Sequence, residues 1–382
     1  MAIAAAIVLP LGLLFLISGL LVNLIQAVVF ILVRPFSKRL HRRINKEIVE
    51  LLWLQVIWLF DWWANMKIEL YADAETLELL GKEHALVISN HRSDIDWLVG
   101  WVMAQRVGCL GTGLALIKKE ARYLPVLGWS MWFSDYIFLE RNWAKDQDRL
   151  KTGLDGLNGF PLPFWLALFV EGTRFTPEKL LAAQEYAQSA VLPIPRNVLI
   201  PRTKGFVTTI THLRSFVPAI YNMTLAIPKD EPRPTLLRLL RGRSSTVHLH
   251  LQRHLMNELP ETETGIAKWC KDAFVEKDDL LERHRTKDSF GISESHDIGR
   301  PKRSLMVVLS WSFILLFGVI KFFEWCPFTK GEVAFCIAFL VIVMFLMQIL
   351  VVFSQSEQSN PSATSTPATS APNTLNEKLL PR

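Results

Sequence analysis

Uncharged, strongly apolar sequence lies near both ends of the 382-residue chain, and it limits the possible fold more than any other feature. Met1 to Val33 contains no Asp, Glu, Lys or Arg. As a helix this run would be about 50 Å long, whereas the hydrocarbon core of a bilayer is only about 30 Å thick. We therefore expect either one tilted membrane span with an overhang or a helix that is broken near Pro10 or Gly19.

Basic residues follow the first apolar run, among them Arg34, Lys38 and Lys46. By the positive-inside rule, this flank predicts that the following domain faces the cytosol. The next segment, 47–65, is rich in Leu and Trp. Because indole rings favour the lipid interface, we expect an interfacial or re-entrant helix here. A full span is the alternative, and it would carry the domain to the other side of the membrane.

Two further apolar runs, Ser304 to Ile320 and Val333 to Phe353, predict a transmembrane hairpin near the end of the chain. Arg300, Lys302 and Arg303 precede the hairpin and again favour a cytosolic domain. The sequence after residue 353 is rich in Ser, Thr and Pro and is expected to be disordered. The predicted units are thus a membrane segment with an interfacial helix (1–65), a folded domain (66–300), a transmembrane helix pair (301–353) and a tail (354–382).

Short apolar runs alternate with helical-period segments in the middle of the chain, which predicts an α/β domain with a mixed sheet and helices on its faces. The predicted strands are Lys67–Tyr71, Ala85–Ser89, Tyr136–Leu139, Trp165–Val170, Asn197–Pro201, Phe216–Tyr221 and Thr246–Arg253. The predicted helices include Trp97–Arg106, Lys145–Leu157 and Pro177–Ala190.

The formal net charge of +6 suits a nucleic acid, a membrane surface or an anionic substrate as partner. Nucleic acid is disfavoured, because the sequence contains no basic recognition helix and no zinc-finger spacing. The four cysteines form no C-x-x-C pair and are expected to be idle thiols.

A dense polar cluster, Asn90 to Asp96, follows the predicted strand Ala85–Ser89. Acyl transfer to an alcohol needs a base with a pKa near neutrality and a carboxylate that orients it. His91 can supply the base and Asp96 the carboxylate, although Asp94 and Ser93 are rival partners by sequence alone. A helix cap formed by Asn90 or Ser93 would also explain the polarity.

Three more strands end in, or lie beside, residues that suit an anionic substrate. Glu171-Gly172-Thr173-Arg174 follows one strand, and Arg141 follows another. An Arg guanidinium is a permanently charged fork that matches a phosphate, although an Arg–Glu surface pair would explain Arg174 equally well. The fourth block is the apolar strand around Pro218, which lies near Lys204.

Together these blocks resemble the glycerolipid acyltransferase family. The H-x-x-x-x-D motif matches His91 and Asp96, a second motif ends at Arg141, F-x-E-G-T-R matches Phe169 to Arg174, and a Pro-containing strand matches Val217 to Ile220. The order and separations of the four motifs are similar to those of the family. The sequence Pro201 to Phe206 looks like the larger eukaryotic members, and the C-terminal hairpin looks like the plant endoplasmic-reticulum members.

The resemblance implies transfer of an acyl group from acyl-CoA, a cosubstrate, to the sn-2 hydroxyl of 1-acylglycerol 3-phosphate (lysophosphatidic acid), without a metal or a resident cofactor. It implies that His91 and Asp96 are catalytic and that substrate contacts come from Arg141, Glu171, Gly172, Thr173, Arg174, Lys204 and Pro218, with Lys118 a weaker candidate. It also implies an enzyme of the endoplasmic-reticulum membrane whose domain faces the cytosol. The sequence does not indicate an oligomeric state.

Three alternatives stay open at this point. The acceptor could be glycerol 3-phosphate or another lysophospholipid, and the chain could instead be a non-catalytic membrane protein that binds lipid. A zinc site at His248, His250 and His254 is a further alternative, but an exposed polar strand face is the commoner reason for such alternation.

Overall fold

The computed structural model describes residues 2–140, 142–291 and 295–325, together with the isolated residues 334, 338 and 342. The described α-helices are α1 (Ala2–Leu32), α2 (Lys38–Trp58), α3 (Ala74–Leu79), α4 (Asp96–Arg106), α5 (Leu127–Phe133), α6 (Trp143–Asp155), α7 (Pro177–Ser189), α8 (Thr203–Leu213), α9 (Leu236–Leu240), α10 (Glu263–Lys287) and α11 (Arg303–Trp325). The described strands are β1 (Lys67–Tyr71), β2 (Ala85–Ser89), β3 (Gly113–Lys118), β4 (Ile137–Leu139), β5 (Trp165–Leu168), β6 (Ala219–Ala226), β7 (Thr246–Leu255) and β8 (Ser295–Asp297).

The described strands form one eight-stranded sheet with the order β4-β3-β5-β2-β6-β7-β1-β8. The five strands from β4 to β6 are mutually parallel, β7 is antiparallel to β6, β1 is parallel to β7, and β8 is antiparallel to β1. The central strand β2 is buried along its whole length, as expected for a strand that is covered on both faces. The predicted mixed α/β sheet is therefore confirmed.

The connections between parallel strands run in two directions, and this puts helices on both faces of the sheet. The chain moves from β2 through α4 to β3 and through α5 to β4 in one direction, and from β4 through α6 to β5 and through α8 to β6 in the other. Right-handed crossovers therefore place α4 and α5 on one face and α6 and α8 on the other. Helix α10 packs on α8, whereas α1 packs on α5, α2 packs on α4, and α11 packs on α2.

The first apolar run forms a single helix, α1, that continues through Pro10 and Gly19 without a break. Its face towards the protein carries buried polar side chains. Asn23 donates to the Ser130 hydroxyl of α5 at 2.7 Å, and Gln26 donates to Asn45 of α2 at 2.9 Å. These bonds satisfy polar groups that would otherwise be costly in an apolar interface.

Among the described residues, two helical segments, Leu9–Leu32 and Arg303–Phe322, are long and apolar enough to cross a membrane. The segment predicted as interfacial is instead the second half of α2, continued by a π-helical turn at Leu59–Trp63. Most of its apolar side chains, Leu52 and Trp53 among them, are buried in the core, although Trp62 stays partly exposed. Apart from residues 334, 338 and 342, the predicted helix Val333–Phe353 lies outside the described residues, as does the tail 354–382.

The predicted segment Asn197–Pro201 is not a strand. The N–H groups of Asn197 and Leu199 donate to the carboxylates of Asp278 and Glu171 rather than to a neighbouring strand. Because a residue whose N–H binds a side chain cannot also complete a sheet ladder, the segment stays irregular. Strands β3 and β8 and helices α3, α5, α8, α9 and α10 were also not predicted from the sequence.

Candidate active site

Strand β2 ends at the sheet edge where α/β folds usually bind ligands, and its last residues are joined tightly to β6. The amide group of Asn90 continues the ladder beyond the strand. Its Nδ2 donates to the carbonyl oxygen of Leu225 at 3.0 Å, and its Oδ1 accepts from the Leu225 N–H at 2.8 Å. Asn90 therefore fixes the start of the loop that carries His91, rather than capping a helix.

His91 and Asp96 are in direct contact, with His91 Nδ1 2.9 Å from Asp96 Oδ2. The same oxygen accepts the backbone N–H groups of Arg92 at 2.6 Å and Ser93 at 2.7 Å. The loop thus wraps around one buried carboxylate at the start of α4. A carboxylate beside Nδ1 favours the tautomer with the proton on Nδ1, which leaves the lone pair of Nε2 to act as a base.

The two rival partners of His91 are engaged elsewhere. The Ser93 hydroxyl donates to the carbonyl oxygen of Pro234 at 2.5 Å, and Asp94 Oδ1 accepts from the Leu236 N–H at 3.1 Å. Both contacts attach the loop after β2 to the segment that follows β6. The geometry therefore selects Asp96 as the residue that orients His91.

The position of the His91 ring is also fixed from the side. The ring stacks on Phe169 with centroids 4.5 Å apart and planes inclined by 29°. Its backbone N–H donates to Glu171 Oε1 at 3.0 Å, and its carbonyl oxygen accepts from the Phe175 N–H at 2.7 Å. The side chain keeps 22 % of its surface exposed, so a substrate can reach the ring.

Glu171 links three parts of the site, and its side chain is 2 % exposed. One carboxylate oxygen accepts the His91 N–H, and the other accepts the Leu199 N–H at 3.1 Å. Burial raises the pKa of the Glu171 carboxyl to about 8, although these two N–H groups and Lys277 oppose the rise. Glu171 is therefore a buried support of the site, because it holds the backbone of His91.

Gly172 occupies a turn that other residues would strain. Its φ is +69°, and a Cβ added there would come within 2.9 Å of Arg202 Cδ. Thr173 lies beside it, and its hydroxyl accepts from Lys179 Nζ at 2.5 Å. Both residues shape the loop after β5, and Arg202 closes over the same turn.

Arg174 points towards the loop after β2, and its Nη1 lies 4.0 Å from Asp94 Oδ2. This separation is at the limit of an ion pair, and it places Arg174 beside the loop that carries His91. Lys204 lies in the first turn of α8, and Lys118 is the last residue of β3. Both lie at the same sheet edge as His91. Arg141 lies outside the described residues, so its predicted role stays a prediction.

The position of Pro218 contradicts its predicted place in the pocket. Pro218 immediately precedes β6, whose first residue, Ala219, pairs with the first residue of β2, Ala85. His91 lies beyond the last residue of β2, so the five-residue strand separates the two by roughly 16 Å. Pro218 instead lines a cavity of about 680 Å³ at the opposite edge of the sheet. The predicted strand Phe216–Tyr221 overlaps β6 only at Ala219–Tyr221, and Pro218 marks the amino end of β6 rather than the site.

Several basic residues near the site were missed by the sequence reading. Arg92 follows His91 directly, Arg202 covers Gly172, and Lys179 binds the loop after β5. Arg92 lies between His91 and Asp96 in the sequence, and the motif assigned roles only to those two residues. Lys179 and Arg202 come close only through the turn into α7 and the irregular segment before α8.

The three histidines considered for zinc lie under α10 rather than on an exposed strand face. His248 Nδ1 is 2.9 Å from His284 Nε2, His250 packs on Phe290, and His254 packs on Trp269. Burial lowers the pKa of His250 and of His284 to about 4, so both rings are neutral at pH 7. Within the described ranges, no group of three or more His, Cys, Asp or Glu residues could hold a metal ion.

The chain is similar in sequence to known acyltransferases. The family model described as "Acyltransferase" matches residues 69–221, and "Acyltransferase C-terminus" matches residues 238–311. The chain is 62 % identical over 361 residues to 1-acyl-sn-glycerol-3-phosphate acyltransferase 3 of Arabidopsis thaliana, covering 94 % of this chain and 96 % of that protein. It is 58 % identical over 364 residues to 1-acyl-sn-glycerol-3-phosphate acyltransferase 2 of the same plant, covering 95 % and 94 %.

More distant relatives extend the same similarity. The human 1-acyl-sn-glycerol-3-phosphate acyltransferase gamma is 37 % identical over 311 residues, covering 81 % of this chain and 82 % of that protein. The crystal structure of the 1-acyl-sn-glycerophosphate (LPA) acyltransferase PlsC from Thermotoga maritima has a TM-score of 0.39 and 16 % identity, covering 70 % and 98 %, and adds no argument at that level. The long, highly identical matches show that this chain belongs to the 1-acyl-sn-glycerol-3-phosphate acyltransferase family.

Proposed function

We propose that this chain transfers an acyl group from acyl-CoA to the sn-2 hydroxyl of 1-acylglycerol 3-phosphate, with phosphatidic acid and CoA as products. The observation that carries the proposal is the His91–Asp96 pair, held at the carboxyl end of the central strand by Asn90 and Glu171. The names of relatives up to 62 % identical supply the acceptor. Acyl-CoA is the donor implied by the resemblance to the wider family.

In this mechanism the Nε2 atom of His91 removes the proton from the sn-2 hydroxyl as its oxygen attacks the thioester carbonyl. Asp96 stabilises the imidazolium that forms, because its carboxylate lies 2.9 Å from Nδ1. The tetrahedral oxyanion then collapses, the carbon–sulfur bond breaks, and the CoA thiolate leaves. The proton returns from His91 to solvent or to the thiolate. His91 acts as a base throughout, so the sequence of steps contains no covalent acyl-enzyme.

The phosphate of the acceptor is proposed to bind Arg174, with Arg141 and Lys204 as further cations of the same pocket. A guanidinium can form two parallel hydrogen bonds to a phosphate, and Arg174 lies 4.0 Å from Asp94 of the loop that carries His91. Gly172 and Thr173 shape the backbone turn that precedes Arg174. Such anchoring would hold the sn-2 hydroxyl near His91.

We place the enzyme on a lipid bilayer, in the endoplasmic-reticulum membrane, with its domain facing the cytosol. The outer faces of α1 and α11 support the bilayer, because large apolar side chains such as Leu24, Ile31 and Phe313 are exposed there. The positions of Arg34 and Arg303 at the domain-side ends of these helices support the orientation. Both lipid substrates could then enter from the membrane.

The test is acyl transfer by purified protein in detergent, with labelled acyl-CoA and a panel of acceptors. We expect 1-acylglycerol 3-phosphate to be preferred over glycerol 3-phosphate and over other lysophospholipids. His91→Ala should lower kcat by about 10²- to 10⁴-fold, because it removes the general base. His212→Ala is the matched control, since His212 pairs with Asp155 at the other end of α8. Retained activity in His91→Ala would refute the mechanism.

A further inference from the structure

A second concentration of positive charge lies beside His91, in a cavity of about 130 Å³ at the carboxyl end of β6. Its lining includes four cationic side chains and a single carboxylate: Arg92, Lys229, Arg233, Arg285 and Asp288. The volume is that of about four water molecules. None of these residues belongs to the pocket assigned above to the acceptor phosphate.

Most of the charge in this cavity is not neutralised by the protein. Arg285 pairs with Glu282 at 2.7 Å, and the Asp288 carboxylate accepts the backbone N–H of Lys229 at 2.8 Å rather than its ammonium group. In the part of the chain that the structure describes, Arg92, Lys229 and Arg233 form no ion pair with a carboxylate. Three cations converge here without an ion pair, although the carboxylates of Glu171, Asp96 and Asp278 lie near enough to Arg92 to favour its charge. A cluster of this kind favours an anionic ligand.

Arg92 is the most buried cation of this cluster that has an unsatisfied polar atom. Its Nε atom is buried and has no hydrogen-bond partner among the described residues, and its guanidinium lies 5.3 Å from the centre of the Phe175 ring. Burial lowers the pKa of Arg92, and the nearby charge of Arg233 lowers it further. An anion bound between the two would supply the missing partner and remove this repulsion.

The cavity is joined to the catalytic loop at two points. Arg92 follows His91 directly, and Arg233 precedes Pro234, whose carbonyl oxygen accepts from the Ser93 hydroxyl. The Leu236 N–H in turn donates to Asp94. A ligand group in the cavity is therefore anchored to the same loop that positions the base.

The face of the sheet on which the cavity lies indicates which substrate would supply the anionic group. The cavity is lined by His284 and Arg285 of α10, and α10 lies with α8 on the face opposite α4 and α5. The apolar helices α1 and α11 lie on the α4–α5 side. A group bound beside α10 thus faces away from the lipid-compatible surface, which suits the water-soluble end of a substrate rather than a lipid headgroup.

From this juxtaposition we infer that Arg92, Lys229 and Arg233 form a second anion subsite, which binds the phosphate groups of the nucleotide portion of the acyl donor. The inference rests on the proposed function, in which the donor is acyl-CoA. It separates the two phosphorylated substrates, with the acceptor phosphate at Arg174 and the donor phosphates beside α10. The thioester then extends from the cavity along the loop towards His91.

The test is the double variant Lys229→Ala/Arg233→Ala, in which both side chains are exposed and neither has a structural partner among the described residues. We expect the KM for acyl-CoA to rise about tenfold or more, because two charged contacts to the donor are lost. The KM for 1-acylglycerol 3-phosphate and kcat should stay within about twofold. The matched control is Arg241→Ala/Arg243→Ala, which removes the same charge from exposed positions just after α9.

A binding measurement gives a second readout that does not depend on turnover. Adenosine 3′,5′-bisphosphate, which carries the chemistry of the donor nucleotide, should inhibit the wild-type protein competitively against acyl-CoA and inhibit the double variant about tenfold less. A raised KM for the acceptor instead would overturn the inference and assign the cavity to the lipid phosphate. Unchanged kinetics for both substrates would also overturn it. In either case, continued acyl transfer would leave the proposed function intact.

Discussion

At the residue scale, a single oxygen of Asp96 determines the geometry of the site. It lies within hydrogen-bond distance of the His91 ring and of two backbone N–H groups of the same loop. One substitution at Asp96 therefore changes both the electrostatics of the base and the shape of the loop that carries it.

Asp96→Asn should lower kcat by about 10²- to 10⁴-fold, because a neutral amide neither stabilises the imidazolium nor fixes the tautomer of His91. Steady-state kinetics on purified protein check this, with the thermal midpoint as a folding control. Asp155→Asn is the matched variant, since Asp155 lies 2.7 Å from His212 in a His–Asp pair away from the site. A kcat within threefold of wild type for Asp96→Asn would contradict the assignment.

Glu171 should make the stability of the protein depend on pH. The pKa of its carboxyl is about 8 in the folded chain, against 4.5 for an ordinary Glu side chain. Between these values the folded state keeps a proton that the unfolded state releases, so the contribution of Glu171 to stability is full below about pH 4.5 and is lost as the pH rises towards 8.

We therefore expect the thermal midpoint of wild type, relative to Glu171→Gln, to fall as the pH is raised from 5 to 8. Thermal unfolding in detergent across this range measures the difference. The exposed Glu261→Gln should show no such trend. A constant difference between wild type and Glu171→Gln would show that the carboxyl does not titrate in this window.

At the scale of elements, α1 is attached to the domain by polar contacts inside an apolar helix. Asn23 and Gln26 bind Ser130 of α5 and Asn45 of α2. At the domain-side end of the helix, Arg34 and Arg42 both pair with Asp135, at 3.6 Å and 2.9 Å. The basic flank that predicts membrane orientation thus also anchors α1 and α2 to the end of α5.

Asn23→Ala should destabilise the protein by about 1–3 kcal/mol, because it removes two buried hydrogen bonds, those from Asn23 Nδ2 to the Ser130 hydroxyl and to Gln26 Oε1, each worth about 0.5–1.5 kcal/mol. Chemical denaturation in detergent measures the loss. Leu24→Ala on the exposed side of the same helix is the control, and its effect should be smaller in detergent. Equal effects of the two substitutions would show that the polar contacts do not hold α1.

At the scale of the whole molecule, the carboxyl ends and the amino ends of the parallel strands form two edges of the sheet, and these two edges have different roles. The loops after β2 and β5 bring His91, Glu171 and Arg174 together at the carboxyl edge. Pro218 and the 680 Å³ cavity lie at the amino edge. Size alone would have favoured the wrong cavity, whereas the direction of the strands identifies the edge that carries the chemistry.

Arg174→Ala and Pro218→Ala should therefore differ sharply in kinetics. The first should raise the KM for 1-acylglycerol 3-phosphate about tenfold or more, because a charge-assisted contact to the phosphate is lost. The second should change both KM values and kcat less than threefold. Acceptor titrations at saturating acyl-CoA compare the two variants, and a large KM effect at Pro218 would refute the two-edge arrangement.

The sequence by itself determined the fold class, the apolar ends and the polar loop that carries His91 and its candidate acidic partners. These features are local: strand β2 and the loop after it are contiguous, and apolar runs can be read directly. Strands β1 and β2 were predicted to the residue for the same reason. Strand β3 and helix α10 were missed, because the structure of these residues depends on packing against other layers of the fold.

Only the tertiary structure decided which acidic residue serves His91, since Asp94 is occupied by the segment after β6. It also decided that Glu171 supports the backbone, that Pro218 lies at the far edge, and that Arg92 meets Arg233 across more than a hundred residues of chain. Spacing along a sequence fixes neighbours within one loop. Which residues of different loops meet depends on the direction of the strands and on the face that each crossover helix covers. Both are properties of the whole sheet.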